Sequence, residues 1–305
     1  MSNVSDPLPG VLVLMATYNG ASWLDEQLQS IWAQTGVRTT VLVSDDASSD
    51  NTLAVIERGR VDGRPLQILP TPGPGQGACA NFLRLLRDAD LSGADFVALA
   101  DQDDRWLPGR LARAVQHLGA AGWAGYSSDA IAFWPDGRHR PLGKAYPQRT
   151  FDHLFEPAGP GCTYVLTGRL ARAVQAEICE RPERFEGIGY HDWLIYAFAR
   201  THGFLWFIDR EPGVLYRQHG HNELGANFGL SGVSRRWRRL TSTWFRQQVL
   251  RMVQLWPGAH DQLGQRLQRF TWADRVWLAS RVRELRRRPR DQLALAAMIL
   301  LGVLR

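Results

Sequence analysis

Cysteine is scarce in this 305-residue chain, which contains only Cys79, Cys162 and Cys179. The three are far apart, odd in number and without the spacing of a metal-binding motif. A disulfide-stapled secreted fold and a cysteine metal centre are therefore excluded, and a reducing, cytoplasmic compartment is expected. We predict that Cys79 and Cys162 are small buried residues.

Long apolar runs are also missing. No stretch of 18 apolar residues occurs, so no membrane-spanning helix is predicted. The first ten residues, MSNVSDPLPG, lack the basic and apolar regions of a secretory signal, so none is expected.

Two phosphate-binding loops are absent as well. The chain has neither G-x-G-x-x-G nor G-x-x-x-x-G-K-[ST], which excludes the common dinucleotide fingerprint and the P-loop. No nucleic-acid module motif is present either, and no nucleic-acid partner is predicted.

Charge is divided unequally along the chain. Residues 231–305 contain sixteen arginines and four acidic residues, a balance of about +12, whereas residues 1–230 carry about −6. Five of the twelve tryptophans also lie in the basic segment. This composition favours helices on an anionic membrane surface. The alternative is that these helices pack on the main domain, with their apolar faces in its core.

Strand and helix signals alternate through the first hundred residues. Strands are predicted at Gly10–Thr17, Thr39–Asp46, residues 65–70 and residues 95–100, and helices at Ser22–Gln34, Asp50–Gly59 and residues 77–89. Ser22 is a candidate N-cap, and Gly59 is expected to end the second helix. The pattern predicts an α/β protein with a doubly wound, parallel sheet, in which ligands bind at the carboxyl ends of the strands.

The fourth strand ends in LADQDDRW, which contains Asp101, Asp103 and Asp104. Asp104 could cap the next helix, with Pro108 in its first turn. That does not account for three carboxylates, which instead favour a hard cation, Mg²⁺ or Mn²⁺, shared with substrate phosphates.

The first two strands end in ATYNG and SDDASSDNT. Taken alone, Asn19-Gly20 is an ordinary turn and Ser49 or Asp50 an ordinary N-cap. Three polar ends along one sheet edge indicate a nucleotide diphosphate with its metal.

TYNG, VSDDASSDNT and DFVALADQDDRWLPGRL, with their spacing, resemble the nucleotide-binding half of family 2 glycosyltransferases of the GT-A fold. GPGCTYVLTGRL and YHDWLIYAFA resemble the acceptor half, and YRQHGHNELG resembles the closing motif of rhamnosyltransferase-like bacterial members. The resemblance implies a Rossmann-like, mostly parallel central sheet flanked by helices. It implies a GT-A domain over residues 1–230, with a nucleotide-sugar half at about 10–110 and an acceptor half at about 111–230. Residues 231–305 are expected to form a basic, helical C-terminal extension.

The resemblance also implies roles for individual residues. Nucleotide-sugar binding is expected from Thr17, Tyr18, Asn19, Asp45, Asp46, Gln102, Arg217 and His219, metal binding from Asp101 and Asp103, and acceptor binding from His191 and Trp193. Asp46 would accept a hydrogen bond from a uracil- or thymine-type base, with Asp45 in support. Arg217 and His219 lie in the closing segment, which would fold back toward the diphosphate; His221 is a weaker candidate.

Asp192 matches the catalytic base of the family. Glycosyl transfer needs a carboxylate that takes the proton of the acceptor hydroxyl, and the aromatic residues Tyr190 and Trp193 could raise the basicity of Asp192 by limiting its hydration. Trp193 could also stack on a sugar. A single base without a carboxylate nucleophile implies direct displacement with inversion. The alternative is that HDW only begins a helix.

The sequence therefore predicts an inverting, Mn²⁺- or Mg²⁺-dependent glycosyltransferase. Its donor would be a nucleotide-diphosphate sugar, with dTDP-rhamnose first and a UDP-hexose second. Its acceptor would be a hydroxyl of a lipid-linked or growing bacterial surface glycan, at the inner face of the cell membrane. The rivals are a nucleotidyltransferase, which would normally carry a glycine-rich basic loop after the first strand, and a non-catalytic glycan-binding protein.

Overall fold

The structure is a computed structural model that describes residues 7–70, 72–219 and 243–303. Strands in these ranges are β1 (Gly10–Thr17), β2 (Arg38–Asp45), β3 (Leu66–Ile68), β4 (Phe96–Asp101), β5 (Arg105–Trp106), β6 (Trp123–Phe133), β7 (His139–Leu142), β8 (Val165–Thr167) and β9 (Leu205–Arg217).

Helices surround the sheet and continue beyond it. They are α1 (Leu24–Trp32), α2 (Thr52–Val61), α3 (Ala78–Asp88), α4 (Arg110–Leu118), α5 (Gly168–Glu180), α6 (His191–Thr201), α7 (Thr243–Leu255), α8 (Asp261–Arg269), α9 (Trp272–Ser280), α10 (Val282–Leu285) and α11 (Pro289–Leu300).

The described strands form one sheet in the order β3-β2-β1-β4-β8-β6-β9-β5, with β7 paired to β6. The first four strands along this order are parallel, as the alternating pattern predicts. β8 runs against both β4 and β6, and β9 runs parallel to β6. Six of the nine strands therefore point the same way, so β1, β2, β4 and β9 all end at one edge of the sheet. The predicted mostly parallel α/β architecture is confirmed.

Both faces of the sheet are buried because helices cover each of them. Successive residues of β1 point to opposite sides of the sheet and so pack against different helices. Leu14 and Ala16 pack in a cluster with α3, α5 and α6. Val13 and Met15 pack in a second cluster with α1, α2 and α4. The strands therefore lie between two packed layers of helices.

Two predicted helix boundaries are wrong. The carbonyl of Gly20 accepts the amides of Trp23 and Leu24, so the chain turns before the helix and Ser22 lies inside that turn without capping it. Gly59 does not end α2, which runs on to Val61. A Cβ on Gly59 would lie 3.2 Å from the ring of Trp32, so this glycine allows close packing within the helix.

The C-terminal extension packs on the main domain over its described part, residues 243–303. Buried apolar residues of α7 to α11, among them Met252 and Leu295, join the cluster on the α5 and α6 side of the sheet. Arg286 and Arg287 are also buried, contrary to a wholly solvent- or membrane-facing arginine segment. The described residues do not include three parts of the sequence predictions, namely residues 231–242 of the basic extension, Arg305 and His221.

Of the predicted small buried cysteines, Cys162 is fully buried and Cys79 half-buried. Across the described ranges, no helix combines the length and apolar character needed to cross a bilayer.

Candidate active site

The ladder of the sheet brings the polar strand ends together. Thr17 at the end of β1 pairs with Asp45 of β2, and Ala16 pairs with Asp101 of β4. Three predicted site residues therefore lie on adjacent strands. This follows from the parallel register alone.

Asp45 organises the loop after β2. Its carboxylate accepts the Thr17 hydroxyl at 2.7 Å, the Ser48 hydroxyl at 2.6 Å and the Ser48 amide at 2.8 Å. Asp45 is only 5 % exposed, and its carboxylate is occupied by these hydrogen bonds. It therefore holds the loop after β2 in place. Sequence reasoning missed Ser48, although it stands in the quoted SDDASSDNT segment.

Asn19 ties the first loop to the second. It adopts a left-handed backbone, with φ at +47°, and its side-chain carbonyl accepts the Ser49 amide at 2.8 Å. The backbone amide of Asn19 donates to the Ser48 hydroxyl. Asn19 is therefore more than a turn residue.

Asp46 is held by the glycine-rich loop that precedes α3. One carboxylate oxygen accepts the Gly75 amide at 2.6 Å, and the other accepts the Gly77 amide at 3.2 Å. A Cβ on Gly73 would lie 2.5 Å from the Asp46 carboxylate, which requires glycine there. A nucleotide base that donates to Asp46 would therefore bind a carboxylate that already accepts two backbone amides of this loop. The sequence did not predict these two hydrogen bonds.

Gln102 bridges the first and fourth strands. Its side-chain oxygen accepts the Tyr18 amide at 2.8 Å, and its side-chain nitrogen donates to the Tyr18 carbonyl at 2.7 Å. The ring of Tyr18 remains 58 % exposed and available to a ligand. The amide of Gln102 thus sets the position of the Tyr18 backbone.

The three carboxylates of the acidic cluster, Asp101, Asp103 and Asp104, differ in burial and in hydrogen-bond partners. Asp103 lies 2.6 Å from Nε2 of His219, whereas Asp104 is fully buried. Asp104 does not cap α4, which begins after Gly109, and Pro108 precedes that helix instead of lying in its first turn. Asp104 instead accepts the Arg217 amide at 3.1 Å.

Burial raises the pKa of Asp104 well above its usual value, and the neighbouring carboxylates of Asp103 and Asp101 add to the rise. Among the described residues, Asp101, Asp104 and Cys162 each bring a ligand atom within 4.8 Å of the others. Burial likewise raises the pKa of the Cys162 thiol, which makes it a poor ligand for a hard cation. The oxygens of Asp101 and Asp103, both only partly buried, are the donors in this cluster that fit Mg²⁺ or Mn²⁺.

The segment after β9 closes against the acidic cluster. Nε of Arg217 donates to the Asp103 carbonyl at 2.8 Å, and its terminal nitrogen bonds Glu26. The ring of His219 stacks on Trp23 with centroids 4.1 Å apart. Arg217 and His219 therefore both contact Asp103 of the acidic cluster. Sequence reasoning missed Glu26 and Trp23, because nothing in the start of α1 marks a contact 190 residues away.

Asp192 lies in the first turn of α6, and its carboxylate accepts the Trp193 amide at 2.7 Å. Burial raises its pKa to about 6, and hydrogen bonds from backbone amides limit the rise. A carboxylate with this pKa is deprotonated at neutral pH and more basic than an ordinary one, which suits a general base.

The neighbours of Asp192 differ from each other. The His191 ring stacks on Phe82, with centroids 3.9 Å apart, and burial lowers its pKa to about 3, so the imidazole stays neutral. Trp193 is only 2 % exposed, and its Nε1 donates to the His153 carbonyl. The expectation that Trp193 stacks on an acceptor sugar is wrong for this structure, because α6 turns its side chain into the core.

A short turn at Gly161–Thr163 lies between Asp192 and the acidic cluster. A Cβ on Gly161 would lie 2.6 Å from His191 Nε2 and 3.2 Å from the Asp192 Cβ. The next residue, Cys162, faces Asp101 and Asp104. Asp192 and the acidic cluster therefore flank one buried turn, and the sequence did not predict that Gly161 lies against Asp192.

Comparison with known proteins identifies the family. Residues 12–172 match the family model described as Glycosyl transferase family 2. The chain is 36 % identical over 293 residues to the dTDP-rhamnosyl transferase RfbG of Shigella flexneri, covering 95 % of this chain and 100 % of that one.

Solved structures show the same fold at low identity. S. aureus TarS in complex with UDP-GlcNAc aligns with a TM-score of 0.56 and 14 % identity, covering 97 % of this chain and 90 % of that one. The mannosyltransferase PcManGT from Pyrobaculum calidifontis, in complex with GDP-Man and Mn²⁺, aligns with a TM-score of 0.51 and 16 % identity, covering 98 % and 86 %. With four parallel strands, β1 to β4, and this family match over residues 12–172, the chain belongs to glycosyl transferase family 2 and is a glycosyltransferase of the GT-A fold.

Proposed function

We propose that the protein is an inverting, metal-dependent glycosyltransferase that transfers rhamnose from dTDP-rhamnose to a hydroxyl of a bacterial surface glycan. The observation that carries the reaction type is the arrangement around Gly161–Thr163, with one basic carboxylate on one side and an acidic cluster on the other. The donor is favoured by the 36 % identity to a dTDP-rhamnosyl transferase over nearly the whole chain. A UDP-hexose is the second candidate, because S. aureus TarS, which shares the fold, is seen with UDP-GlcNAc.

Asp192 is the proposed catalytic base. Its carboxylate takes the proton of the acceptor hydroxyl as the oxygen forms a bond to the anomeric carbon, while the bond from that carbon to the diphosphate breaks. Attack from the face opposite the leaving group inverts the anomeric centre. His191, neutral and beside the base, is the proposed contact for the acceptor.

Asp101 and Asp103 are the proposed holders of Mn²⁺ or Mg²⁺, which supplies positive charge to the departing diphosphate. Arg217 and His219 are the proposed residues on the phosphate side of the site. A guanidinium beside a diphosphate forms strong charge-assisted hydrogen bonds. Arg217 would exchange its Glu26 partner for the phosphate oxygens.

The nucleotide is proposed to lie over the ends of β1 and β2. Tyr18 offers an exposed ring, Asp46 offers acceptor oxygens for a base N–H, and Thr17, Asn19, Asp45 and Gln102 hold the two loops. A pyrimidine with an N–H between two carbonyls, as in uracil and thymine, matches an acceptor at Asp46.

We further propose that residues 1–230 form the catalytic domain, with halves at about 10–110 and 111–230, and that residues 231–305 form a C-terminal extension, whose described part, residues 243–303, packs on this domain. The acceptor would be lipid-linked or a growing oligosaccharide, presented at the inner face of the cell membrane. The extension would contact the anionic lipids of that membrane peripherally.

A thermal-shift screen with Mn²⁺ tests the donor, because a ligand that binds only the native state raises the apparent stability. We expect dTDP-rhamnose to raise Tm by more than UDP-glucose or UDP-GlcNAc at the same concentration. Analysis of the product anomer by NMR then tests inversion. A shift with UDP-sugars and none with dTDP-rhamnose would replace the proposed donor by the second candidate.

A further inference from the structure

Helix α11 differs from an ordinary surface helix because it is apolar on both faces. Its inward residues, Leu295, Met298 and Ile299, are buried in the core. From residue 292 to residue 303 the sequence contains no charged residue. A helix that is apolar all round is normally enclosed by protein or by lipid.

The outward face of α11 is nevertheless exposed in this structure. The exposed positions between residues 292 and 303 are Leu293, Ala297, Leu300 and Leu301. Leu293 and Leu301 are 74 % and 72 % exposed. Single exposed leucines are common, but a whole helical stripe of them marks an interaction surface.

Helix α9 extends this stripe. Its exposed apolar residues Trp272 and Val276 are one helical turn apart, and α9 packs against α11. Arg275 joins the two helices, since its guanidinium lies over the Trp272 ring at 5.1 Å and donates to the Leu300 carbonyl. We call Trp272, Val276, Leu293, Leu300 and Leu301 the apolar surface.

Arginines border the apolar surface. Arg290 lies one turn before Leu293 on α11, with its side chain 64 % exposed, and Arg283 of α10 is exposed as well. The acids of α10 and α11, Glu284 and Asp291, are less exposed than these arginines and are paired with Arg281 and Arg290. The border is therefore positively charged.

We propose that the apolar surface inserts into the headgroup region of an anionic lipid bilayer, with Arg283 and Arg290 on the lipid phosphates. Exposed tryptophan, an uncharged helix face and bordering arginines are the combination that interfacial helices use. A second copy of this chain fits less well, because a symmetric contact would bring the arginine borders of the two copies together.

The attachment of α11 links this surface to the acceptor side of the site. Arg287, just before α11, donates to the Pro157 carbonyl at 2.6 Å, and Phe151 donates its amide to the Glu284 carbonyl. The segment between Phe151 and Pro157 continues to Gly161, beside Asp192. For a lipid-linked acceptor, which rests on the function proposed above, docking by α11 places the membrane on helices that contact the segment leading to Gly161 and Asp192.

Vesicle sedimentation with the full chain tests the proposal. Leu293→Glu combined with Leu301→Glu, the leucine variant, places two charges on the apolar surface. Leu53→Glu combined with Val61→Glu is the matched control, at two apolar residues of α2 that are 47 % and 78 % exposed. We expect the wild type and this control variant to sediment with vesicles of phosphatidylcholine and phosphatidylglycerol. The leucine variant should lose about a hundredfold in partition coefficient, about tenfold for each leucine withdrawn from lipid.

A second variant, Arg283→Gln with Arg290→Gln, should bind these vesicles less tightly and lose part of the salt dependence. Equal sedimentation of the wild type and the leucine variant, or none by either, overturns the proposal. So does a wild-type dimer in sedimentation equilibrium that the leucine variant dissociates, since the surface would then be a self-contact. The donor-induced Tm shift is measured on the same samples, and its absence with intact vesicle binding refutes the proposed function alone.

Discussion

Nε2 of His219 lies 2.6 Å from the Asp103 carboxylate, although 116 residues separate them. The pair joins the end of β4 to the segment after β9, and the His219 ring rests on Trp23 at the start of α1. Because β9 runs in the same direction as β1, β2 and β4, its end arrives at the same sheet edge as theirs. A residue of the closing segment is thereby held against the proposed metal-binding carboxylate.

Removal of the Asp103 carboxylate should strongly reduce transfer. Asp103→Asn keeps the size of the side chain and removes the charge that a hard cation needs. We expect about a 10²- to 10³-fold loss of kcat, the magnitude seen when one electrostatic contact is removed from an active site. The measurement is release of the nucleoside diphosphate under steady-state conditions.

Chelation of the wild type by EDTA should give the same loss, and Mn²⁺ or Mg²⁺ in excess should restore activity. Asp136→Asn is the matched control, at an exposed aspartate of the β6–β7 turn, and should leave activity unchanged. Full activity of the wild type in EDTA would remove the metal from the mechanism.

Asp192→Asn tests the proposed base. The amide keeps the volume but takes no proton, so kcat should fall at least about 10²-fold while donor binding stays nearly unchanged. Asp25→Asn, in the first turn of α1, is the control for a helix-start aspartate. Loss of the donor-induced Tm shift in Asp192→Asn would instead assign Asp192 to the nucleotide pocket.

The pH profile follows from the same residue. Burial raises the pKa of Asp192 to about 6, and only the deprotonated carboxylate accepts a proton. Activity should therefore be constant above about pH 7 and fall about tenfold per unit as pH drops below about 6. A profile flat down to pH 5 would show that this carboxylate does not limit the reaction.

The sequence was sufficient for the first four strands and for the residues at their ends, because both depend on local periodicity and on parallel register. Thr17, Asp45 and Asp101 lie together for that reason. The sequence did not predict the strands after β4, among them the antiparallel β8. The sequence could not predict that Gly75 and Gly77 hold Asp46, or that Glu26 holds Arg217, since these contacts join segments about 30 and 190 residues apart.

The extension shows a second limit of sequence reasoning. Its arginines look alike in the sequence, yet some are exposed and others buried. Arg287 is only 2 % exposed and is paired with Asp152, whereas Arg290 is 64 % exposed. Composition measures the total charge of a segment, but burial of each residue depends on the partner that the main domain offers.

Gly161→Ala should reduce activity by crowding the base. The added methyl would lie 2.6 Å from His191 and 3.2 Å from Asp192, distances that force one of them to move. A displacement of about 1 Å at a catalytic group costs about 10²-fold in rate. Gly93→Ala is the control, because no atom lies within 4 Å of its added methyl, and it should retain wild-type kcat. Equal kcat for both variants would show that the turn at Gly161–Thr163 does not position Asp192.

Arg287→Ala should destabilise the whole fold. The guanidinium lies 3.1 Å from the Asp152 carboxylate, which is fully buried and also contacts Arg200 at 3.1 Å and the Tyr196 hydroxyl at 2.9 Å. Removal of Arg287 leaves the buried Asp152 carboxylate with one positively charged partner fewer to offset its lost hydration. We expect this to lower the free energy of unfolding by about 3–5 kcal/mol.

Arg290→Ala is the matched control, since this arginine is exposed, and it should change the free energy of unfolding by less than about 1 kcal/mol. Urea denaturation followed by circular dichroism measures both variants. If Arg287→Ala unfolds at the same urea concentration as Arg290→Ala, the extension is not anchored through this ion pair. If Arg287→Ala melts in a separate early transition, with the rest of the chain unfolding as in the wild type, residues 243–303 unfold independently of the catalytic domain. A single transition at lower urea would mean that the extension and the catalytic domain share one cooperative core.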